Sequence, residues 1–138
     1  MKKILILSVI FTSYIGMGQS VNSASIIGKP VMIGNLLIAQ NDFPKTMNWV
    51  DAGKACSALG KGWRLPTKTE LNLLYKNRKR KGGFTDNYYW SSTEMENENK
   101  YKEFLYNAWS QNLYNGYSNY GDFSKDNSNN FRADRTIK

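Results

Sequence analysis

The hydrophobic pattern of this chain changes at Gly82-Gly83. Before these glycines, apolar residues recur at three- and four-residue steps, which is the spacing of one helix face. After them, short runs of alternating apolar and polar residues predict strands separated by turns. Helices followed by strands are typical of an α+β domain. The 138 residues are enough for one such domain with its own core.

Two helices are expected in the first half. The first covers residues 47–59, where the apolar residues share one face, and it ends at Gly60. The second begins after Pro66, because Thr67 can cap it and Glu70, three residues later, completes a capping box. We expect this second helix to continue to the glycine pair.

Short strands are expected on both sides of these helices. In the first half, residues 36–39 are the clearest strand, within a segment broken by glycine and proline. In the second half, alternation and aromatic content predict strands over residues 88–92, 108–113 and 130–137. Glycines between them supply the turns.

The N-terminus has the pattern of a secretory signal peptide. Lys2 and Lys3 precede an apolar stretch over residues 4–15, and Gly16 and Gly18 supply the small residues of a cleavage site. The apolar stretch is too short to span a bilayer, so we expect export to the periplasm, the cell surface or the medium without a membrane span. The expected divisions are a signal peptide over residues 1–18, an N-terminal lead-in over 19–32 and a folded domain over 33–138.

The composition argues against catalysis. The chain has no histidine and one cysteine, which excludes imidazole chemistry, internal disulfides and multi-cysteine metal sites. Four glutamates between Glu94 and Glu103 could support glycoside hydrolysis, but the lysines among them are typical of a solvated loop. We therefore expect no enzyme activity, no cofactor and no metal ion. We expect Cys56 to be buried on a helix face.

A set of short motifs follows one order along the chain. It includes Gly62-Trp63-Arg64-Leu65-Pro66-Thr67, Tyr89-Trp90-Ser91-Ser92-Thr93-Glu94 and Phe131-Arg132-Ala133-Asp134-Arg135. In this ordered set, over about residues 33–137, the chain resembles an exported bacterial family. That family is typified by the C-terminal domain of Legionella collagen-like protein and is related to the Fibrobacter major paralogous domain.

The resemblance implies a C-type-lectin-like fold, with two helices flanking a small twisted antiparallel sheet and the terminal strands close together. It also associates the chain with surface adhesion and ligand binding. Many members carry a cysteine in the terminal Arg-x-x-Arg segment, but Ala133 and Asp134 fill that interval and leave Cys56 single. The Glu-Pro-Asn, Gln-Pro-Asp and Trp-Asn-Asp triplets of calcium-dependent lectins do not occur, although Glu94, Glu96, Glu98 or Asp122 could supply oxygen ligands.

The motif residues are expected to be structural. Tryptophan and arginine are frequent in binding sites, but an aromatic residue and a leucine beside a helix cap are more often a joint between a strand and a helix. Guanidinium and carboxylate groups match bidentately, so we expect Arg64, Arg132 and Arg135 to pair with Glu70, Glu94 or Asp134. The full structural set is Trp49, Trp63, Arg64, Leu65, Pro66, Thr67, Glu70, Trp90, Trp109, Arg132 and Arg135.

The segment over residues 106–131 uses a narrow alphabet, since 19 of its 26 residues are Asn, Tyr, Ser, Asp or Gly. Tyrosine supplies rigid amphipathic area and asparagine adaptable hydrogen bonds, as in binding loops. Turns share this alphabet apart from tyrosine, and strand alternation should turn about half of the side chains inward. The candidate contacts are Asn107, Gln111, Asn112, Tyr114, Asn115, Tyr117, Asn119, Tyr120 and Asp122.

These patterns predict an exported, non-catalytic, adhesin-like module that presents this segment to a ligand. Because export separates the chain from chromosomal DNA, the expected partner is an extracellular protein or glycan rather than nucleic acid. The narrow alphabet also resembles the variable regions of proteins diversified by retroelements. The alternative is an envelope assembly subunit that docks through the basic run of residues 76–81, although such a run is also typical of a solvated helix end.

Overall fold

Two three-stranded antiparallel sheets and two main helices form the fold of this chain, for which a computed structural model describes residues 22–95, 106–119 and 123–138. The expected signal peptide lies outside the described residues. The helices are α1 (Ser23–Ile27), α2 (Trp49–Ser57), α3 (Lys68–Lys76) and α4 (Arg78–Lys81), and the strands are β1 (Val31–Ile33), β2 (Leu36–Ile38), β3 (Tyr88–Glu94), β4 (Ala108–Asn112), β5 (Ser118–Asn119) and β6 (Asp134–Thr136). The sheets have the strand orders β1-β2-β6 and β3-β4-β5.

Helix α2 confirms the first predicted helix. The side chain of Asn48 caps it by accepting a hydrogen bond from the backbone N–H of Asp51 at 2.9 Å. Ala52 and Cys56, on the predicted face, are fully buried. Burial, with a smaller contribution from the Asp134 carboxylate, raises the pKa of the Cys56 thiol. The single cysteine is therefore a protonated core residue.

Helix α3 forms from the predicted capping box. The Thr67 hydroxyl accepts from the Glu70 backbone N–H at 3.2 Å, and the Glu70 carboxylate accepts from the Thr67 N–H at 2.7 Å. Leu71 and Leu74 on its inner face are buried. The predicted continuation into the basic run is wrong. The Asn77 side chain donates back to the Leu73 carbonyl at 2.9 Å, and the Asn77 backbone departs from helical geometry. The run starts a separate short helix, α4.

The described part of the expected lead-in, residues 22–32, packs as part of the folded unit. Its helix α1 is capped by Asn22 and buries Ile26. The backbone carbonyls of Ile26 and Ile27 accept hydrogen bonds from Asn41 and Gln40 at 3.1 and 2.9 Å. Residues from 22 onward therefore contact the segment that follows β2.

The predicted strands appear as β2, β3, β4 and β6. β6 pairs with β2, which brings the N- and C-terminal strands together as expected. The last strand is shorter than predicted, because the four successive residues 131–134 are all buried and do not alternate between two faces.

Neighbouring residues of β3 point into two different core clusters. Tyr89 packs with the buried leucines of α3, including Leu71, whereas Trp90 packs with Cys56 and Phe131. This division follows from the two-residue period of a strand. Among the expected structural residues, Trp63, Leu65, Pro66, Trp90 and Arg132 are buried, and Trp49, Arg64, Thr67, Glu70, Trp109 and Arg135 are partly buried.

A fully buried arginine, Arg132, joins three distant segments. Its Nε donates to Asp42 Oδ1 at 2.6 Å, and its two terminal nitrogens donate to the carbonyls of Gln40, at 2.8 Å, and Gly83. The other oxygen of Asp42 accepts from the Tyr89 hydroxyl. The expectation that Arg132 pairs with Glu70, Glu94 or Asp134 is therefore wrong. Its partner lies 90 positions away in sequence, beyond the reach of a local pattern.

Replacing Asp42 with alanine would leave the Arg132 guanidinium buried without its ion pair. We expect the free energy of unfolding to fall by about 3 to 5 kcal/mol, as measured by urea denaturation. Asp86→Ala, which removes an exposed carboxylate, is the matched control and should change it by less than about 0.5 kcal/mol. Similar small losses in both variants would contradict this role of the pair.

Arg64 confirms the predicted pairing with Glu70 and Asp134. Its guanidinium donates to both Glu70 oxygens at 2.7 and 2.9 Å and to Asp134 Oδ1 at 3.0 Å. The backbones of Arg64 and Asp134 also exchange two hydrogen bonds of 3.0 Å. The start of α3 is thereby tied to β6. Arg135, also on β6, packs its side chain beside Gly62.

The two carboxyl groups around Arg64 shift in opposite directions. Burial raises the pKa of Asp134 to about 7, the nearby Glu70 adds to this rise, and Arg64 opposes it. For Glu70, burial acts to raise the pKa, but hydrogen bonds from Arg64 and from the Thr67 backbone outweigh it and the net pKa is lowered. Ionisation of Asp134 near neutral pH therefore carries a cost in the free energy of folding.

This cost should appear in the pH dependence of stability. A carboxyl whose pKa is higher in the folded than in the unfolded chain makes the folded state less stable as pH rises between the two values, from about 4 to about 7. We expect the melting temperature of the natural chain to fall more steeply from about pH 5 to about pH 7 than that of Asp134→Asn, in scans at matched ionic strength. Parallel profiles would show that Asp134 does not titrate in this window.

Candidate functional site

The nine candidate contact residues do not share one environment. Tyr114 and Tyr117, at 66% and 56%, are the most exposed large hydrophobic side chains among the described residues. Between them, Asn115 is also exposed. Of the remaining candidates, Asn112 and Asn119 are half-buried, Asn107 and Gln111 are buried, and Tyr120 and Asp122 lie outside the described residues.

Two candidates are structural rather than ligand-facing. Asn107 and Gln111 are only 6% and 3% exposed, so the prediction that they contact a ligand is wrong. The Gln111 amide donates to the Gly116 carbonyl at 3.0 Å and to Asn72 Oδ1 at 3.1 Å. Gln111 therefore joins the end of the β4–β5 connection to α3, and strand alternation accounts for its inward direction.

The exposed residues belong to the connection between β4 and β5, residues 113–117, which we call the tyrosine turn. The Asn112 side-chain oxygen accepts from the backbone N–H groups of Tyr114 and Asn115 at 2.9 and 3.3 Å. The Asn115 side-chain oxygen accepts from the Tyr117 N–H at 2.9 Å. These are local turns in which asparagine bonds its own backbone. The asparagines therefore build the turn, and the tyrosines are what it presents.

The tyrosine turn is anchored at both ends. Leu113 is buried, and its N–H donates to the Asn87 carbonyl at 3.0 Å. Gly116 has a positive φ of 80°, and a Cβ added there would lie 2.5 Å from the ring of Tyr75 on α3. Only glycine fits both requirements without displacing the turn. The exposed tyrosines thus stand on a backbone that α3 holds in place.

An open groove of about 680 Å³ runs beside the tyrosine turn. Arg78 and Lys79 of α4 line it, together with Phe84, Asp86 and Tyr114. The guanidinium of Arg78 lies 4.0 Å from the centre of a tyrosine ring on α3 and donates to the carbonyl of that residue at 2.9 Å. The groove therefore combines one cation held in place, Arg78, and one exposed cation, Lys79, with aromatic walls.

Lys81, at the end of α4, is drawn into the fold. Its Nζ donates to the Gln40 carbonyl at 3.0 Å. Burial lowers its pKa to about 8, the Arg132 charge contributes to this decrease, and Asp42 opposes it. The basic run is therefore not uniformly solvated.

Of the carboxylates considered for hydrolysis, only Glu94 lies within the described residues. It accepts from Lys125 Nζ at 2.6 Å, and that ammonium also lies 4.5 Å from the centre of the Trp49 ring. Glu96, Glu98 and Glu103 lie outside the described part of the chain. Among residues 22–95, 106–119 and 123–138, no three His, Cys, Asp or Glu residues are placed to hold a metal ion. No helix in these ranges is long and apolar enough to cross a membrane.

Comparisons with known proteins identify both a family and a fold. The Lcl C-terminal domain family matches residues 28–135 in sequence. Botrocetin superposes with a TM-score of 0.59 at 16% identity, over 80% of this chain and 98% of that one. The snake venom toxin convulxin gives 0.58 at 12% identity, over 80% and 97%. Botrocetin in complex with the von Willebrand factor A1 domain gives 0.56 at 15%, over 80% and 98%. No curated protein matches.

These structures are C-type-lectin-like, so the predicted α+β lectin-like fold is confirmed. At such low identities the likeness concerns the fold alone. The expectation of one sheet flanked by two helices was too simple, because the strands divide into two sheets and two short helices, α1 and α4, are added.

Gly116→Ala tests the anchoring of the tyrosine turn, and Gly34→Ala is its matched control. Both glycines have positive φ, but a Cβ at Gly34 meets nothing within 4 Å, whereas one at Gly116 meets Tyr75. We expect Gly34→Ala to cost about 1 to 2 kcal/mol and Gly116→Ala about 1 to 3 kcal/mol more, measured by urea denaturation. Equal losses would contradict the close packing of the turn on Tyr75.

Proposed function

The chain belongs to the Lcl C-terminal domain family, and on this basis we propose that it is an exported, non-catalytic module that binds its ligand through the tyrosine turn. The partner is an extracellular protein or glycan, as expected for an adhesin-like domain. Export itself rests on the N-terminal sequence pattern.

The exposure of Tyr114 and Tyr117 on an anchored backbone is the observation that carries the proposal. Exposed aromatic rings forgo the free energy that burial of their apolar area would supply. Their place in the turn is therefore better explained by contact with a partner than by folding. Because the turn is already ordered, binding would cost little conformational entropy.

The structural neighbours support a protein partner as one form of this function. Botrocetin, which shares the fold, is seen in complex with the von Willebrand factor A1 domain. The lectin-like scaffold can thus serve in binding a folded protein. For this chain, the tyrosine turn supplies side chains of the kind that antibodies use for the same purpose.

We also propose that the turn is a diversified surface. If a retroelement mutates this region, variation should concentrate at the exposed positions 114 and 117 and spare the turn-building Asn115 and the buried Asn107, Gln111 and Leu113. Sequencing the gene in independent isolates measures this directly, together with a search for a near-copy of the segment beside a reverse-transcriptase gene. Uniform variation across buried and exposed positions would contradict it.

The assembly-subunit alternative has less support. It requires the whole run of residues 76–81 to act as one docking patch, but Lys81 donates to the Gln40 carbonyl. That contact belongs to the fold itself. The hydrolase alternative is weaker still, because the one described candidate carboxylate is paired with Lys125.

The double variant Tyr114→Ala/Tyr117→Ala tests the proposal. We expect it to lose at least about ten-fold in affinity for ligands found with a glycan array and a pull-down from surface-protein extracts. Its free energy of unfolding should change by less than about 0.5 kcal/mol, because both rings are solvent-exposed.

Tyr106→Ala is the matched control for this experiment. Tyr106 is 52% exposed in the same tyrosine-rich segment. It lies before β4, whereas the tyrosine turn lies after β4. Its removal should leave binding intact. If the double variant binds normally, or if it is strongly destabilised, the tyrosine turn is not the ligand-binding surface.

A further inference from the structure

The groove between α4 and the tyrosine turn carries charges that the proposed function leaves unused. We propose that it binds an acidic segment of a polypeptide, which lies along α4 while the tyrosine turn contacts it from the other side. This inference rests on the proposed function, because it names the class of ligand that the tyrosines contact.

The cations of the groove point to an acidic partner. Arg78 is held by its hydrogen bond to the Tyr75 carbonyl and by stacking on the Tyr75 ring, and its second terminal nitrogen lies 3.5 Å from the Tyr114 carbonyl oxygen. A guanidinium that is already ordered loses little entropy when it binds a carboxylate. Lys79, which also lines the groove, is exposed. The full sequence has a net charge of +8, which becomes +6 without Lys2 and Lys3 of the expected signal peptide, and this charge would steer an acidic segment toward the chain.

The remaining walls favour a polypeptide over a uniformly charged glycan. Phe84 and Tyr114 give the groove aromatic surface next to its cations, which suits a segment that carries apolar as well as acidic side chains. Asp86 lines the same groove, and its carboxylate repels a polymer that bears negative charge on every unit. A peptide can place a neutral or basic residue at that point.

The backbone of the groove also suits a peptide. Gly82 and Gly83 line it with positive φ values of 70° and 72°, and a Cβ added at Gly82 would meet nothing within 4 Å. Glycine at such positions lets another main chain approach closely. Asn115 lies on the same lining and is exposed; its side-chain oxygen accepts from the Tyr117 N–H, and its amide nitrogen can donate to a main-chain carbonyl.

The experiment uses an array of twelve-residue peptides that each carry four glutamates and two phenylalanines at varied spacing, with glutamine-for-glutamate copies as reference. The full chain is applied to the array, and fluorescence anisotropy then measures affinity for the best peptide. We expect the acidic peptides to bind at least about ten-fold more tightly than their glutamine copies, with an affinity that falls as salt rises.

Lys79→Glu should weaken that binding at least about ten-fold, and the milder Lys79→Gln should weaken it in the same direction. Lys54→Glu makes the same change of charge at an exposed lysine of α2, outside the groove, and should have little effect. Melting temperatures of all three variants establish that they are folded. Equal losses in Lys54→Glu and Lys79→Glu would overturn the assignment to the groove.

Heparin serves as the glycan arm of the test. Tighter binding of heparin than of any peptide, with loss in Lys79→Glu, would overturn the peptide assignment in favour of an anionic glycan. Absence of any preference for the acidic peptides would also overturn it. Ligands from the screen that lose binding in Tyr114→Ala/Tyr117→Ala but keep it in Lys79→Glu would refute the acidic groove alone and leave the tyrosine turn as the binding surface.

Discussion

The buried ion pair between Arg132 and Asp42 is the interaction on which the arrangement of this molecule depends. A charge without access to water is tolerated only when it is paired and hydrogen-bonded. Arg132 meets this requirement by donating to the loop after β2 and to Gly83 after α4, and Asp42 of that loop in turn accepts from Tyr89 of β3. Because Gly83 also lines the groove, the pair that secures the core fixes one wall of the candidate binding region.

In the tyrosine turn, the asparagines and the glycine shape the backbone, whereas the tyrosines do not. Asn112 and Asn115 use their side-chain oxygens to fold the backbone, and Gly116 lets that backbone rest on Tyr75. The tyrosines are then left to face solvent. A surface built in this way can change its outer side chains without disturbing the turn, which is what a variable or adaptable binding site requires.

The candidate region unites two features that are far apart in the chain. The basic run of α4 and the tyrosine turn are separated by some thirty residues, yet Arg78 reaches the Tyr114 carbonyl and both elements line one groove. An ordered arginine and an exposed lysine next to aromatic rings favour a ligand with acidic and apolar groups. The C-type-lectin-like scaffold presents this groove in a chain that lacks the calcium-ligand triplets of calcium-dependent lectins.

The sequence by itself determined the local elements. The capping box of Thr67 and Glu70, the face of α2 that buries Cys56, and the short strands depend on hydrogen bonds and periodicities within a few residues, so they can be read from the chain. Only the tertiary structure decided the partner of Arg132, the break of the basic run at Asn77, and which members of the narrow alphabet face solvent. The partner of Arg132 depends on groups that packing brings together, and the break at Asn77 depends on a side chain that bonds to the backbone of its own helix. No local pattern distinguishes an asparagine that builds a turn from one that binds a ligand.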